Sequence, residues 1–147
     1  MKITICGSIA FYKEMQEIES KLKSLGHEVD LPPLKVPGPG DKEISVEEYY
    51  QIRKNASDDE KWVWDQKGKS IKVHFKKIEW SDVVLITNYT KGEIENYVGA
   101  NTFLEMGLAF YLNKKIFLLN GIPEVSYKEE ILGMKPIVID NDLSKIC

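Results

Sequence analysis

Short β-branched runs alternate with segments of helical periodicity along this chain, and this alternation limits the folds it can adopt. Five runs are strand candidates: residues 3–6, 28–31, 83–87, 116–119 and 137–139. The first is followed by the helical segment 11–25, in which Met15, Ile18 and Leu22 share one face, and the third by the segment 102–112. Alternation of this kind is typical of a parallel sheet covered on both faces. The sequence predicts a doubly wound α/β fold with five parallel strands.

The length and composition predict one globular domain spanning residues 1–147. Hydrophobic residues make up 43% and charged residues 29% of the chain, as in soluble globular proteins. No apolar run approaches the roughly 18 residues that suggest a membrane span. The opening segment leads directly into a helix and is interpreted as a strand, not as a signal peptide. We therefore expect a cytoplasmic protein with no membrane partner.

The charge argues against a nucleic-acid partner. The net charge is −3, whereas nucleic-acid binders usually carry a basic surplus. Five lysines form either the solvated face of a helix or an anion-attracting group: Lys67, Lys69, Lys72, Lys76 and Lys77. Cys6 and Cys147 do not form a disulfide framework, and no Cys/His cluster has zinc-ligand spacing. We expect no metal and no cofactor.

The regular pattern breaks between the second and third strands. Residues 31–40 are rich in proline and glycine and predict an exposed, irregular loop. A capping box at Ser45–Glu48 opens one helix, and residues 67–80 predict another. The insertion carries four aromatic residues, which provide either a lid or a dimer contact: Tyr49, Tyr50, Trp62 and Trp64.

Two loops lie where a doubly wound sheet binds ligands, beyond the carboxyl ends of the strands at the reversal of winding between the first and third strands. One loop is Cys6-Gly7-Ser8-Ile9, whose glycine and following helix suit either a tight turn or a phosphate cradle. The other runs from Asn88 to Gly99 and leads into the helix that contains Glu105.

Glu105 is the only charged residue between Glu95 and Lys114, in the most apolar stretch of the chain. A carboxylate in such surroundings is hydrogen-bonded, paired or functional. Thr102 and Glu105 also have the spacing of a capping box, and a carboxylate folded back onto Thr102 is not free to attack a substrate. Both interpretations remain open from the residues alone.

His74 is the second candidate catalytic residue. It lies near the apolar stripe formed by Ile71, Phe75 and Ile78, so it faces inward. A histidine in this position is either a core residue or a proton donor near neutral pH.

Four short motifs occur in a recognisable order. They are Cys6-Gly7-Ser8-Ile9, Ser81-Asp82-Val83-Val84, Glu105-Met106-Gly107 and Asn113-Lys114-Lys115-Ile116. Together they resemble the nucleoside 2-deoxyribosyltransferase superfamily, which includes the 2′-deoxynucleoside 5′-phosphate N-hydrolases. The resemblance covers most of the chain apart from an insertion from about Pro32 to Lys69.

The resemblance implies a flavodoxin-like sheet of order 2-1-3-4-5, with the insertion between strands 2 and 3, and a homodimer. It implies that Glu105 is the nucleophile in cleavage of an N-glycosidic bond, through a glycosyl-enzyme intermediate. His74 stands where the family usually has an aspartate that assists base protonation, and Thr4 where it has a tyrosine that orients the nucleophile. The loop from Gly99 to Thr102 matches the segment that holds the 5′-phosphate in nucleotide-using members.

From these features we expect an N-glycosidase or 2-deoxyribosyltransferase whose partner is a small nucleoside or nucleotide. The predicted catalytic residues are Glu105 and His74. The predicted substrate-binding residues are Gly7, Ser8, Ile9, Asn88, Gly99, Asn101 and Thr102. The alternative is a non-catalytic nucleotide-binding module of the same fold.

Overall fold

Strands and helices alternate along most of the chain in the computed structural model, which describes residues 1–147. The strands are β1 (Lys2–Cys6), β2 (Glu28–Asp30), β3 (Lys35–Pro37), β4 (Glu43–Ser45), β5 (Val83–Ile86), β6 (Lys115–Leu118) and β7 (Ile137–Val138). The helices are α1 (Tyr12–Ser24), α2 (Val46–Asn55), α3 (Lys61–Trp80), α4 (Ala100–Tyr111) and α5 (Lys128–Gly133). Short 3₁₀ turns span Ile9–Phe11, Pro39–Asp41 and Leu143–Lys145.

Five strands form one sheet of order β2-β1-β5-β6-β7, and every pairing in it is parallel. Counted within this sheet alone, the order is 2-1-3-4-5, which confirms the predicted flavodoxin-like arrangement. The winding reverses between β1 and β5, where Ile3 lies opposite Val83 and Cys6 opposite Ile86. The chain after both strands therefore leaves the sheet at the same edge.

The core lies on both faces of the sheet. All four residues of β5 are buried, as expected for a central parallel strand. On one face, Ile3 and Ile5 pack with the apolar stripe of α1. On the other face, Cys6 belongs to a cluster that includes residues of α3, α4 and α5. Side chains of β1 thus alternate between two cores, and Cys6 faces the helices that carry His74 and Glu105.

The insertion is more regular than its composition predicted. Residues 31–40 were expected to form an irregular exposed loop, but β3 pairs with β4 in an antiparallel hairpin and Val36 is buried. Proline is compatible with this strand because a two-stranded ribbon has an unpaired outer side, where a missing N–H costs little. Helix α3 also begins at Lys61, six residues earlier than the predicted Lys67.

A small separate core holds the insertion together. Val36, Tyr49 and Val63 are buried against one another, and the Tyr49 hydroxyl donates to the Val63 carbonyl at 2.5 Å. The predicted cap is present as well, since the Ser45 hydroxyl accepts from the Glu48 amide at 3.0 Å. None of the helices combines the length and apolar character needed to cross a bilayer.

Candidate active site

A cavity of about 810 Å³ opens at the carboxyl edge of the sheet, beside the reversal of winding. Its walls come from the loop after β1, from α2, from α3 and from the start of α4. The volume is in the usual range for a small-molecule site. Tyr49 and Tyr50 of the insertion line it, so the insertion contributes to the cavity wall, whereas Trp62 and Trp64 do not line it.

The structure brings together all but one of the residues predicted for the site. The predicted residues that line the cavity are Gly7, Ser8, Ile9, His74, Gly99, Asn101, Thr102 and Glu105. Asn88 is fully buried and does not line it. The Asn88 side chain donates to the Gly121 carbonyl at 2.9 Å and accepts from the Asn120 amide at 2.9 Å. These two hydrogen bonds connect the loop after β5 to the loop after β6.

The capping-box alternative for Glu105 is wrong. Helix α4 begins at Ala100 and its N-cap is Gly99, so Thr102 and Glu105 lie inside the helix. Thr102 therefore cannot cap the helix, and Glu105 in the second turn is free of that role. Because Gly99 has no capping side chain, the first amides of α4 are left available at the cavity wall.

Glu105 meets two groups from distant segments of the chain. Its Oε2 lies 3.6 Å from His74 Nε2, and the same nitrogen lies 3.4 Å from Cys6 Sγ. The Glu105 side chain is 14% exposed and that of His74 only 6%. The distance of 3.6 Å is longer than a good hydrogen bond. The three side chains are thus in contact, and Glu105 keeps an opening to the cavity.

Burial keeps this group of side chains uncharged near neutral pH. It raises the pKa of Glu105 to about 8, although the Cys6 thiol and the charge of Lys67 oppose the rise. Burial, followed by the charge of Lys77, lowers the pKa of His74 to about 4. Burial and the neighbouring Glu105 also raise the pKa of Cys6 well above its usual value. Glu105 and His74 are close, but they do not form an ion pair at pH 7.

These pKa values change the role expected for His74. A neutral imidazole has no additional proton to give, so the low pKa favours the core-residue interpretation of His74 over the proton-donor interpretation. Its Nδ1 is buried without a partner. An unpartnered donor is costlier to bury than an unpartnered acceptor, which assigns the ring proton to Nε2, facing Cys6 and Glu105.

The same three side chains offer atoms that can bind a metal ion. Cys6 Sγ, His74 Nε2 and a Glu105 oxygen lie within 4.8 Å of one another. These residue types suit a zinc-like cation, which would displace the protons of the thiol and the carboxyl. Sequence spacing did not indicate this cluster, because its members come from β1, α3 and α4.

Two cations on the insertion side complete the cavity wall. The Arg53 guanidinium stacks 4.6 Å from the centre of the Tyr49 ring. Burial, followed by the charge of Arg53, lowers the pKa of Lys67 to about 8. The lysine group predicted from the sequence is therefore divided: Lys67 lines the cavity, whereas Lys69 is exposed. Sequence reasoning missed Arg53, and only its i+4 spacing from Tyr49 pointed to it.

The loop after β1 packs tightly against β5. A Cβ on Gly7 would lie 2.2 Å from Thr87 Oγ1, so close packing explains this glycine. The Ser8 hydroxyl accepts from the Ala10 amide at 3.3 Å and from Lys91 Nζ at 3.2 Å. The tight-turn interpretation of this loop therefore has direct structural support, and Lys91 is a further cavity residue not found from the sequence.

No family model matches the chain, and no characterised protein matches it in sequence. Among solved structures it is similar to a 2-deoxyribosyltransferase from Bacillus psychrosaccharolyticus, with 19% identity, 80% of this chain and 71% of that chain covered, and a TM-score of 0.49. It is also similar to the CMP N-glycosidase BcmB from Clostridium botulinum, with 20% identity, 95% and 86% covered, and a TM-score of 0.47.

Proposed function

We propose that this protein cleaves the N-glycosidic bond of a nucleoside or nucleotide, with Glu105 as the nucleophile. The observation that carries this proposal is the placement of Glu105: a nearly buried carboxyl group that still lines a cavity of small-molecule size. Its close polar neighbours, His74 and Cys6, carry no cationic charge near neutral pH, so the carboxyl group is not consumed by an ion pair. The motif resemblance described above supports the same assignment.

A carboxylate suits both steps of such a reaction. In the first, a Glu105 oxygen bonds to the anomeric carbon while the C–N bond breaks and its electron pair leaves with the base. The negative charge also stabilises the oxocarbenium-like transition state. In the second, water or another base attacks the anomeric carbon and releases the carboxylate, and the proton that it loses neutralises the departed base. Water gives a hydrolase, and a base gives a transferase.

The lining of the cavity favours a nucleobase over a sugar alkoxide as the leaving group. Enzymes that cleave O-glycosidic bonds usually pair the nucleophile with a second carboxyl group as the acid. Here the other acidic residues of the cavity wall, Glu47 and Glu48, are exposed on α2. A nucleobase spreads the departing charge over its ring and depends less on such an acid. Aromatic rings of Tyr50, Phe75 and Tyr97 are available for a base to pack against.

We assign His74 a positioning role. With its ring proton on Nε2, it can donate to the Glu105 carboxylate once that group ionises and the contact of 3.6 Å shortens. We assign contacts with the sugar and its substituents to the other predicted residues that line the cavity: Gly7, Ser8, Ile9, Gly99, Asn101 and Thr102.

The test is chromatographic detection of free base from a panel of nucleosides and nucleotides. We expect base release by the wild type and a loss of at least about 1,000-fold in Glu105→Gln, as expected for removal of a covalent nucleophile. Glu95→Gln is the matched control, because it makes the same change at an exposed residue outside the cavity. Release of free base that persists in Glu105→Gln would contradict the assignment of Glu105 as the nucleophile.

One observation favours a second candidate, a nucleotide-binding module without turnover. The pKa of about 8 leaves Glu105 mostly protonated at pH 7, and a carboxylic acid is a poor nucleophile. This candidate predicts that nucleotides raise the melting temperature while no base is released at any pH up to 9. Release of free base that increases between pH 7 and pH 9 would instead support the proposed N-glycosidase.

A further inference from the structure

Arg53 and Lys67 bring two positive charges to the cavity without a carboxylate partner. The lysine–carboxylate pairs of the structure all involve other residues. Arg53 is held by aromatic stacking instead, 4.6 Å from the Tyr49 ring and 5.5 Å from the Tyr50 ring. Both cations line the same cavity as Glu105.

The protein itself does not neutralise this pair. Glu47 and Glu48 line the cavity but lie on the exposed side of α2, and neither has the i+4 spacing that favours a helical ion pair with Arg53. Glu105 contacts His74 and Cys6 and forms no salt bridge with either cation, although its charge favours protonation of Lys67. Lys67 is partly buried, and both burial and the charge of Arg53 oppose its protonation. A bound anion would remove this unfavourable arrangement.

We propose that Arg53 and Lys67 form an anion subsite for a phosphate monoester, so that the substrate is a nucleotide and not a nucleoside. The inference rests on the function proposed above and adds its substrate class. A phosphate monoester carries nearly two negative charges at neutral pH, which matches two unit cations. A guanidinium fixed by stacking on Tyr49 presents its donors in a preorganised fork suited to phosphate oxygens.

The subsite belongs to the insertion. Arg53 comes from α2 and Lys67 from the first half of α3, whereas Glu105 is placed by α4 at the edge of the sheet. The reacting group and the anion subsite are therefore on separate elements. Substitutions in the anion subsite leave the backbone that supports Glu105 unchanged and act on it only through the charge of Lys67.

Binding is tested first, with inorganic phosphate as the probe. At matched ionic strength in chloride, phosphate should raise the melting temperature of the wild type and of Glu105→Gln. The double variant Arg53→Gln/Lys67→Gln should lose this rise. Lys69→Gln/Lys72→Gln should keep it, because it removes the same total charge at exposed residues of α3 that do not line the cavity. Circular dichroism in chloride verifies that each variant is folded.

Activity is tested with 2′-deoxynucleosides and their 5′- and 3′-monophosphates. We expect a wild-type preference for one of the monophosphates, and a fall in kcat/KM of roughly 100-fold for that substrate in Arg53→Gln/Lys67→Gln, since two charge-assisted contacts are lost. The nucleoside rate should fall much less, only as far as loss of the Lys67 charge disfavours ionisation of Glu105. The single variant Lys67→Gln should show an intermediate loss.

The subsite would be overturned if neither phosphate nor any monophosphate stabilised the wild type, or if the cavity pair and the control pair showed equal losses. Equal kcat/KM for nucleoside and nucleotide would also overturn it while leaving the proposed cleavage intact. Absence of base release from every substrate would remove the proposed function, and the phosphate measurement would still decide whether the anion subsite exists.

Discussion

The two halves of the cavity wall differ in charge: one consists of uncharged buried groups, and the other contains two cations. The sheet half consists of Cys6, His74 and Glu105, and burial keeps all three uncharged near neutral pH. The insertion half consists of Tyr49, Tyr50, Arg53 and Lys67, in which two cations lie together without a carboxylate. A low-dielectric setting suits a group that must react, whereas partly exposed cations suit recognition of a charged ligand.

The difference also lies in what supports each half. The sheet half stands at the ends of buried strands and in long helices, which fix side chains precisely enough for chemistry. The insertion half rests on a small core formed by Val36, Tyr49 and Val63. An insertion can therefore change the substrate without disturbing the reacting group. The two halves remain coupled, because the charge of Lys67 lowers the pKa of Glu105.

The largest expected effect comes from removing the titrating group of the sheet half. The native pKa of Glu105 is about 8 and the ordinary value is 4.5, so the folded protein holds a proton that the unfolded chain releases between these values. Wild-type stability should therefore fall as pH rises from about 4.5 to 8. Glu105→Gln cannot titrate and should exceed the wild type by on the order of 4 kcal/mol in unfolding free energy at pH 9.

Urea denaturation at pH 5, 7 and 9 measures this difference. At pH 5 the two proteins should have similar stability, because the wild-type carboxyl group is then protonated in the native state. Glu95→Gln should follow the wild type at each pH. A Glu105→Gln variant that gains nothing between pH 5 and pH 9 would show that Glu105 is ionised in the free protein.

The next effect concerns the close packing that positions the loop after β1. In Gly7→Ala, the new Cβ would meet Thr87 Oγ1 at 2.2 Å, and such overpacking should cost roughly 1–3 kcal/mol of unfolding free energy. Thr87→Ala removes that oxygen, so the double variant should recover part of the lost unfolding free energy.

Gly68→Ala in α3 is the control. Its new Cβ would have no atom within 4 Å, and the substitution should stabilise the protein by about 0.5–1 kcal/mol. Additive losses in the Gly7/Thr87 cycle would contradict the packing explanation.

Sequence patterns predicted the sheet half better than the insertion half. Glu105 and His74 could be found because strand ends meet at one edge of a parallel sheet and helical periodicity indicates the buried face. Asn88 satisfies the same edge rule, yet its side chain turns toward Asn120 and Gly121. The rule places a residue at the edge, but the direction of its side chain depends on partners far away in sequence.

The insertion contains a cavity residue that the sequence patterns did not find. Arg53 reaches the cavity only because the β3–β4 hairpin and the start of α3 enclose Tyr49, and these contacts are non-local. The pKa of His74 depends in the same way on burial between β1, α3 and α4, so the sequence alone left both a core histidine and a proton donor open. The predicted homodimer stays a prediction.

A smaller effect is expected from loosening the insertion half. Tyr49→Phe removes the hydroxyl that donates to the Val63 carbonyl, and with it a buried hydrogen bond between α2 and α3. The expected loss is about 1–2 kcal/mol of unfolding free energy. Phosphate affinity should change much less, since the substitution keeps the aromatic ring that supports Arg53. Tyr111→Phe, at a residue that is 80% exposed, is the control and should change neither quantity.

The smallest expected effect comes from the interaction between the two halves, in which the charge of Lys67 acts on Glu105. Cleavage needs the Glu105 carboxylate, so kcat/KM should rise with pH through the native pKa of about 8. The positive charge of Lys67 favours ionisation of Glu105, and Lys67→Gln should therefore move this rise to higher pH. A nucleoside substrate is used in this measurement, so that loss of a phosphate contact does not enter. Lys69→Gln, which alters an exposed charge on the same helix, should leave the profile in place. A profile that stays fixed in Lys67→Gln would mean that the insertion half selects the ligand without influencing the reacting group.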